Sequence, residues 1–312
     1  MSTITSFTLP TSLRALAPGA DKRYHVYPLV SGKNKKKKRW IEAPDSELKA
    51  AQRWLLDNWL YHLPPTGFAH GFVPGRSILT NAAEHVGRRW VVTADVRDFF
   101  PSITARRIAT CLAELELDAA DRSTVGQLVT RRGRLPQGAP TSPHLANLVA
   151  RTLDLRLSGL ARQHDWTYTR YADDLTFTAT GELSHEFLER AIGCVLRAGF
   201  EVNRRKIKRY TVANADLVIC GIRLHDGRLT LPRRVLRKYR ALLFQTLACE
   251  PEEISDGARQ HVHGAIGFRT MATTVCPPQL EQLLEAVLRQ HGSWLRPGTT
   301  ADYFPSYGTV SQ

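Results

Sequence analysis

The chain has 312 residues and carries 43 Lys and Arg against 29 Asp and Glu, a formal net charge of +14. Hydrophobic residues make up 43% and charged residues 23%, which excludes wholesale disorder and a collagen-like or coiled-coil composition. No run approaches the roughly 18 uncharged apolar residues of a membrane span, and the length favours two domains. The positive charge makes a polyanion the expected partner, with nucleic acid ahead of anionic lipid.

Cysteine usage and the N-terminus indicate the setting of the chain. The five cysteines are an odd number, no two of them form a Cys-x-x-Cys pair, and no histidine pair has zinc-finger spacing. The sequence therefore predicts neither a disulfide framework nor a structural zinc site. The first residues lack the continuous apolar segment of a secretory signal and are interpreted as a lead-in. We expect a reduced chain in the cytoplasm.

The first part of the chain alternates loops with short regular elements. In order, these are a lysine-rich run at 33–39, a helix that begins at Asp45 or Ser46 and stops before Pro64, a loop at 68–80, a helix at 78–85 and a strand at 90–94. The lysine-rich run is typical either of a solvated loop or of a phosphate contact, and both interpretations stay open. The strand ends at Asp95, which places this carboxylate at the C-terminal end of a strand.

The rest of the chain is predicted to hold one hairpin among helices. In order, the elements are a helical region at 104–131, a loop at 133–143, a helix at 145–160, a hairpin at 167–178, a helix at 184–199, a strand at 217–224 and helices from 232 onward. β-Branched and aromatic residues flank the hairpin tip, which presents Asp173 and Asp174. A dense group of arginines opens the final helical part and marks a boundary near residue 230.

Three carboxylates, Asp95, Asp173 and Asp174, form the candidate catalytic centre. Phosphoryl transfer depends on charge neutralisation and in-line positioning, which two Mg²⁺ ions about 4 Å apart supply. Mg²⁺ prefers oxygen ligands and takes one or two carboxylates together with substrate phosphates and water. Without cations the three carboxylates would repel one another, so the cluster predicts a two-metal site. The alternative for an isolated Asp pair is a solvated turn.

Three sequence blocks, in this order along the chain, carry a family resemblance. They are Ala94-Asp95-Val96-Arg97-Asp98-Phe99-Phe100-Pro101-Ser102-Ile103, Leu135-Pro136-Gln137-Gly138-Ala139-Pro140-Thr141-Ser142-Pro143 and Arg170-Tyr171-Ala172-Asp173-Asp174-Leu175. The blocks closely resemble palm motifs A, B and C of reverse transcriptases. The resemblance runs from about Arg39 to Leu295 and implies RNA-directed DNA synthesis from dNTPs with two Mg²⁺ ions. It matches Asp95, Asp173 and Asp174 to the family's catalytic, metal-binding aspartates, with the Val96 carbonyl as a candidate further ligand.

The same resemblance indicates the nucleotide pocket. One ring of the Phe99-Phe100 pair would act as the steric gate, leaving no room for a ribose 2′-hydroxyl and so selecting deoxynucleotides. We favour Phe99, but the one-residue choice stays open, because the other ring is expected to pack in the core. Gln137 and Gly138 match the family's nucleotide-contacting turn, where glycine lets the backbone approach the incoming nucleotide closely. An ordinary proline-bracketed loop is the alternative for this turn.

Basic residues are expected around the triphosphate. The segment 199–206 resembles motif D of the family, which places Lys206 near the triphosphate, where it would stabilise or protonate the pyrophosphate. The alternative is a surface lysine in a basic segment. Lys38 and Arg39 resemble the fingers residues that contact the triphosphate, although the lysine run makes their register arbitrary.

Two further signatures resemble those of retron reverse transcriptases. Asn81-Ala82-Ala83-Glu84-His85 fits their Asn-Ala-x-x-His signature, and Val218-Ile219-Cys220-Gly221 lies where they carry Val-Thr-Gly. In the second signature only the glycine, Gly221, is kept in register, which leaves the retron subgroup open. Asn81, His85 and Gly221 are accordingly expected to bind nucleic acid, and a packed helix histidine is an equally good account of His85.

The retron resemblance also implies partners. Retron enzymes act on one structured non-coding RNA encoded beside them, start DNA synthesis at the 2′-hydroxyl of an internal guanosine and leave a branched RNA–DNA product (msDNA). They commonly work in antiphage defence with an effector protein, and no membrane is involved. The arginines expected to follow the duplex backbone lie within about two turns of one helix and are Arg233, Arg234, Arg237 and Arg240.

We therefore expect an α+β right-hand polymerase, with a palm made of an antiparallel sheet and helices on one face. Residues 1–90 would form the lead-in and fingers, 91–230 the palm and 231–312 the helical thumb and C-terminal tail, with about 104–143 completing the fingers. The enzymatic alternative is a stand-alone group II intron-like or diversity-generating reverse transcriptase. The non-enzymatic alternative is a basic RNA-binding scaffold with a degenerate polymerase fold. The Phe pair disfavours an RNA-dependent RNA polymerase, and the complete aspartate set disfavours the scaffold.

Overall fold

The structure is a computed structural model that describes residues 8–31, 37–115, 117–182, 184–212, 217–271 and 276–292. The backbone divides into two units, one formed by residues 1–73 and 92–209 and the other by residues 74–91 and 210–312. Both units mix helices with strands, as expected for an α+β protein. Within the described ranges, no helix combines the length and the apolar character needed to cross a bilayer.

The described helices and strands follow one another in this order. The first half contains α1 (Thr11–Leu16), β1 (Tyr24–Ser31), β2 (Lys37–Pro44), α2 (Ser46–Asn58), α3 (Ile78–Ala83), β3 (Trp90–Asp95), α4 (Ala105–Ala113), α5 (Ala119–Val129) and α6 (Ser142–Val149). The second half contains α7 (Arg151–Gln163), β4 (Thr167–Tyr171), β5 (Asp174–Ala179), α8 (His185–Arg197), β6 (Lys208–Thr211), β7 (Leu217–Ile219), β8 (Ile222–His225), β9 (Arg228–Thr230), α9 (Arg233–Leu247), α10 (Asp256–Met271) and α11 (Pro278–His291).

A four-stranded sheet with the strand order β4-β5-β3-β6 organises the first unit. The predicted hairpin is confirmed: β4 and β5 are antiparallel, with Tyr171 opposite Asp174. Helix α7 packs against β4 and α8. Phe187 of α8 stacks on Trp166 and meets Phe177 of β5 edge-on. Because β3 and β5 are neighbours, the sheet brings the end of β3 beside the hairpin tip.

A separate hairpin of β1 and β2 precedes this sheet, and the sequence did not predict it. Residues 37–39 of the lysine-rich run, expected in a loop or at a phosphate contact, belong to strand β2, and residues 32–36 lie outside the described ranges. Apolar side chains are exposed along the hairpin, so the alternation typical of a half-buried strand is missing. They are Val26, Tyr27, Leu29, Val30 and Trp40. The helix predicted to follow is confirmed as α2, with the Asp45 carboxylate accepting a bond from the Leu48 amide.

The second unit combines a small sheet with helices. Its strands have the order β7-β8-β9, α3 packs against them, and α9 packs against α10 and α11. The core contains Leu217, Ile222, Leu243 and Val287, which are almost fully buried. The arginine-rich helix predicted from 232 onward is confirmed as α9.

Three predicted elements are interrupted in the structure. The helical region 104–131 is two helices, because Asp118 caps a new helix by accepting the amide of Asp121. The helix predicted at 145–160 begins earlier, at Ser142, and breaks at Ala150 between α6 and α7. The strand 217–224 is split by a turn in which Cys220 and Gly221 both have positive φ, which is typical of a tight two-residue hairpin.

Candidate active site

The three predicted catalytic carboxylates converge at one end of the four-stranded sheet. Asp95 is the last residue of β3, and Asp173 and Asp174 occupy the tip of the neighbouring β4–β5 hairpin. The amide of Val96 donates a 2.9 Å hydrogen bond to the carbonyl of Asp173, which ties the two chain segments together. Motifs 78 residues apart in the sequence are thereby joined through the backbone.

The carboxylates carry more negative charge than the surrounding protein balances. Partial loss of water raises the pKa of Asp174 to about 6, although its side chain reaches the surface, and the charges of Asp173 and Asp95 add to the shift. Burial also raises the pKa of Asp173, with the charge of Asp95 adding to the effect and Arg39 and Lys206 opposing it. Raised carboxylate pKa values indicate that the centre would gain from a cation.

Lys206 partly balances the negative charge of the three carboxylates. Its Nζ lies 2.8 Å from both carboxylate oxygens of Asp95, while its own side chain is half exposed. Within the described ranges, no three acidic, histidine or cysteine side chains are already gathered into a preformed ligand set. The donors are nevertheless hard carboxylate oxygens with an excess of negative charge, which fit Mg²⁺ once the Lys206 ammonium moves away from Asp95.

A buried ionic network supports the hairpin tip, and it was not predicted from the sequence. Arg170 is fully buried and donates two 2.7 Å bonds to the carboxylate of Asp154. A further guanidinium N–H donates to the Ala172 carbonyl at 3.1 Å and to the Asn147 amide oxygen at 2.9 Å. Ala172 has a φ of 56°, which is unusual for a residue with a side chain. The network therefore holds the backbone immediately before Asp173 in a strained conformation.

The carboxylate of Asp154 accepts hydrogen bonds from three different side chains. Besides Arg170 it accepts bonds from the Tyr168 hydroxyl at 2.9 Å and the Thr66 hydroxyl at 2.7 Å. Burial and the charge of Asp154 raise the pKa of Tyr168 well above its usual range, so this hydroxyl stays a donor. The only sequence signals for the network were an arginine within a strand and an aspartate within an amphipathic helix.

Residues 68–70 run parallel to the outer edge of β4 and form a short bridge with it, and we call this segment the loop strand. The amide of Arg170 donates to the carbonyl of Phe68, and the amide of His70 donates to the carbonyl of Arg170, both at 2.8 Å. Asn147 also donates from its side chain to the carbonyl of Gly71 at 2.9 Å. The predicted loop 68–80 is thus partly joined to the β4–β5 hairpin.

The two predicted gate residues differ in burial. Phe99 is 4% exposed, and its ring packs against Phe200 with a centroid separation of 5.6 Å. Phe100 is only partly buried, and its ring lies 5.6 Å from that of Phe99. The structure therefore places Phe99 in the core and leaves Phe100 nearer the surface.

The predicted nucleotide-contacting turn packs against strand β2. The carbonyl of Gln137 accepts a 2.9 Å bond from the amide of Glu42. Gly138 has a φ of 136°, and a Cβ there would lie 2.9 Å from both the Glu42 carbonyl and the Ile41 side chain. Glycine is required at this position by both conformation and space.

Lys38 and Arg39 lie on β2 with exposed side chains. Adjacent strand residues point to opposite faces, so the two side chains do not share a face. The positive charge of Arg39 opposes the rise in the pKa of Asp173, so Arg39 lies within electrostatic range of this carboxylate.

The predicted nucleic-acid-binding residues belong to the second unit. Asn81 and His85 are fully buried, and the Asn81 side chain donates to the Cys220 sulfur at 3.4 Å, beside Gly221 in its tight turn. Their contact with nucleic acid stays a prediction. On α9 the basic residues lie at the surface: Arg233, Arg234 and Arg237 are exposed, and Arg240 is partly buried.

The sequence matches a family model over most of this architecture. Residues 31–248 match the family described as reverse transcriptase (RNA-dependent DNA polymerase). The match includes all three carboxylates and the motifs that hold them. The chain therefore belongs to the reverse transcriptase family, whose members generally use divalent metal ions.

Curated relatives narrow this assignment. The Retron Mx65 reverse transcriptase of Myxococcus xanthus is 40% identical over 265 residues, covering 78% of this chain and 60% of the relative. The Retron Mx162 reverse transcriptase of the same organism is 48% identical over 161 residues, 46% of this chain and 33% of the relative. The Retron Ec86 reverse transcriptase of Escherichia coli is 32% identical over 272 residues, 86% of this chain and 82% of the relative. Within the family, the chain is thus a retron-type reverse transcriptase, although it spans less than two thirds of the two Myxococcus relatives.

Proposed function

We propose that the chain is an RNA-directed DNA polymerase that copies a cognate structured non-coding RNA into a branched, RNA-linked single-stranded DNA. The observation that carries this proposal is the convergence of Asp95, Asp173 and Asp174 at one sheet end, where the pKa values of Asp173 and Asp174 are raised. Family membership and the names of the retron relatives support it.

The three aspartates, with the carbonyl of Val96, would hold two Mg²⁺ ions. When bound, these ions would neutralise charge on the triphosphate and on the attacking oxygen as its hydroxyl loses the proton. Lys206, which contacts Asp95 in the free protein, would be available to the pyrophosphate leaving group whenever Asp95 serves as a metal ligand. In the free protein, Lys206 thus stabilises the carboxylate of Asp95. During the reaction, it would stabilise the departing pyrophosphate.

The remaining site residues would bind and orient the dNTP. Arg39 and Lys38 neutralise the triphosphate, with Arg39 nearer the carboxylates. In the Gln137-Gly138 turn, the absence of a side chain on Gly138 would let the backbone approach the incoming nucleotide closely. Phe100 is the better candidate for the sugar gate, because Phe99 is buried against Phe200 and is not free to line a pocket. This choice reverses the preference drawn from the sequence.

The right-hand subdivision is proposed on the same basis. Residues 1–90, completed by 104–143, would form the fingers, 91–230 the palm and 231–312 the thumb and tail. The exposed arginines 233, 234 and 237 of α9, together with Arg240, would follow the backbone of the RNA–DNA hybrid through its phosphates. Asn81, His85 and Gly221 would shape the retron-specific part of the nucleic-acid surface.

The proposed partners are the template RNA, its DNA product, dNTPs and a retron effector protein, in the cytoplasm and in antiphage defence. Sequencing the nucleic acid that co-purifies with the protein from its native host tests this setting. We expect a small DNA joined to RNA through a 2′-linked branch. Linear DNA, or complementary DNA copied from many unrelated RNAs, would instead favour a group II intron-like or diversity-generating enzyme.

A further inference from the structure

The segment that leads from the loop strand to Phe72 is fixed against the catalytic turn. A Cβ on Gly71 would lie 2.5 Å from the amide nitrogen of Ala172 and 3.1 Å from the carbonyl carbon of Tyr171. Only glycine lets the two backbones approach this closely. The position of the next residue, Phe72, is therefore set directly by the hairpin that carries the catalytic aspartates.

Phe72 itself has an unfavourable backbone conformation. Its φ is 62°, in the left-handed region that bulky residues rarely adopt. Its side chain is 36% exposed, so core packing does not account for a large aromatic residue there. Such an outlier indicates that the side chain serves a purpose at this position.

The ring of Phe72 contacts the proposed sugar gate. Its centroid lies 6.0 Å from that of Phe100, with the planes inclined at 58°. Phe100 also meets the buried ring of Phe99 at 5.6 Å and 65°. Inclined aromatic pairs at these separations attract each other. Phe100 is therefore held from two sides. One contact is the buried ring of Phe99, and the other is the exposed ring of Phe72, which follows the glycine packed against Ala172.

We propose that Phe72 is a specificity-determining residue that acts through Phe100. By bracing the Phe100 ring, Phe72 prevents it from rotating away from the nucleotide sugar, so a ribose 2′-hydroxyl is excluded more strictly. Phe72 is a positioning residue in this account and does not itself contact the reacting atoms. The inference rests on the proposed function and on Phe100 as the gate.

A double-mutant cycle tests the proposal. The quantity measured is kcat/KM for a dNTP divided by kcat/KM for the matching rNTP, on an RNA template with Mg²⁺, for wild type, Phe72→Leu, Phe100→Val and the double variant. We expect Phe100→Val to lower this ratio by roughly a hundredfold or more and Phe72→Leu by roughly tenfold. The double variant should match Phe100→Val alone, because bracing has no effect once the gate ring is absent.

Two further variants separate selectivity from folding. Phe68→Leu alters the same loop, but its ring meets Tyr168 at 6.1 Å, so the ratio should stay at the wild-type value. Phe72→Tyr keeps an aromatic ring and should keep the ratio near wild type. An unchanged ratio in folded Phe72→Leu, or additive losses in the double variant, would overturn the proposal. Failure of the proposed function would look different, because the wild-type protein would incorporate no dNTP.

Discussion

Two hairpins of the first unit carry oppositely charged residues of the candidate site, and they are built in opposite ways. The β4–β5 hairpin, with its acidic pair 173–174, rests on a fully buried Arg170 bonded twice to Asp154. The β1–β2 hairpin, with the basic pair 38–39, exposes apolar side chains along its length. Metal ligands, the role proposed for the acidic pair, must be held within a narrow tolerance, which buried and fully bonded supports provide. Long basic side chains can reach phosphates from a less constrained support.

The difference predicts separate kinetic consequences for the two hairpins. Changes beneath the acidic hairpin should lower kcat and stability together. Changes on the basic hairpin should raise the KM for dNTP and leave stability unchanged. The predictions below test this division.

Among the variants that compare the two hairpins, Asp154→Asn is expected to have the largest effect, because it leaves the buried Arg170 without its counter-ion. Breaking a buried pair costs about 3–5 kcal/mol, and the loosened tip should lower kcat by roughly a hundredfold with little change in KM. Thermal unfolding and steady-state primer extension measure the two effects. Tyr168→Phe is the control, because it removes one bond to Asp154, at about 1 kcal/mol, without touching the link from Arg170 to Ala172. A folded Asp154→Asn variant with wild-type kcat would contradict the claim that this buried network positions the acidic hairpin.

Arg39→Ala should have an intermediate effect. Loss of one charge-assisted contact to the triphosphate should raise the KM for dNTP roughly tenfold, with kcat and Tm within error of wild type. The control is Lys49→Ala, which removes the same charge from an exposed position on α2. An equal rise in KM in the control would assign the effect to net charge, and a lower Tm in Arg39→Ala would contradict the division between the hairpins.

The smallest effect concerns Asp174 in the metal-free protein. Its folded pKa of about 6 lies above the ordinary value of 3.8, so its ionisation destabilises the fold increasingly as pH rises through this window. In EDTA at pH 7.5, Asp174→Asn should raise Tm by roughly 1–3 °C, and this gain should vanish near pH 4. Asp165→Asn, at an exposed turn residue, is the control for loss of charge. A gain that is independent of pH would show that repulsion among the carboxylates is not its source.

The same contrast explains what the sequence could predict. β-Branched and aromatic residues around Asp173 and Asp174 predicted the acidic hairpin, and the resemblance of three sequence blocks to reverse transcriptase motifs indicated the candidate catalytic residues. The basic hairpin was missed because exposed apolar residues such as Trp40 and Val26 leave no alternation to read. The bond between Arg170 and Asp154 joins a strand to a helix and depends on packing that no local pattern encodes. The sequence likewise could not decide between Phe99 and Phe100 as the sugar gate, because the two adjacent rings differ only in how deeply the fold buries them.

Primer extension on an RNA template by wild type and Asp173→Asn tests the central claim most directly. Asp98→Asn, an exposed aspartate of the same sequence block as Asp95, is the matched control. The account predicts Mg²⁺-dependent dNTP incorporation by wild type and the control, and a loss of at least about a thousandfold in Asp173→Asn with RNA affinity retained. Extension by Asp173→Asn at a rate close to wild type would contradict it.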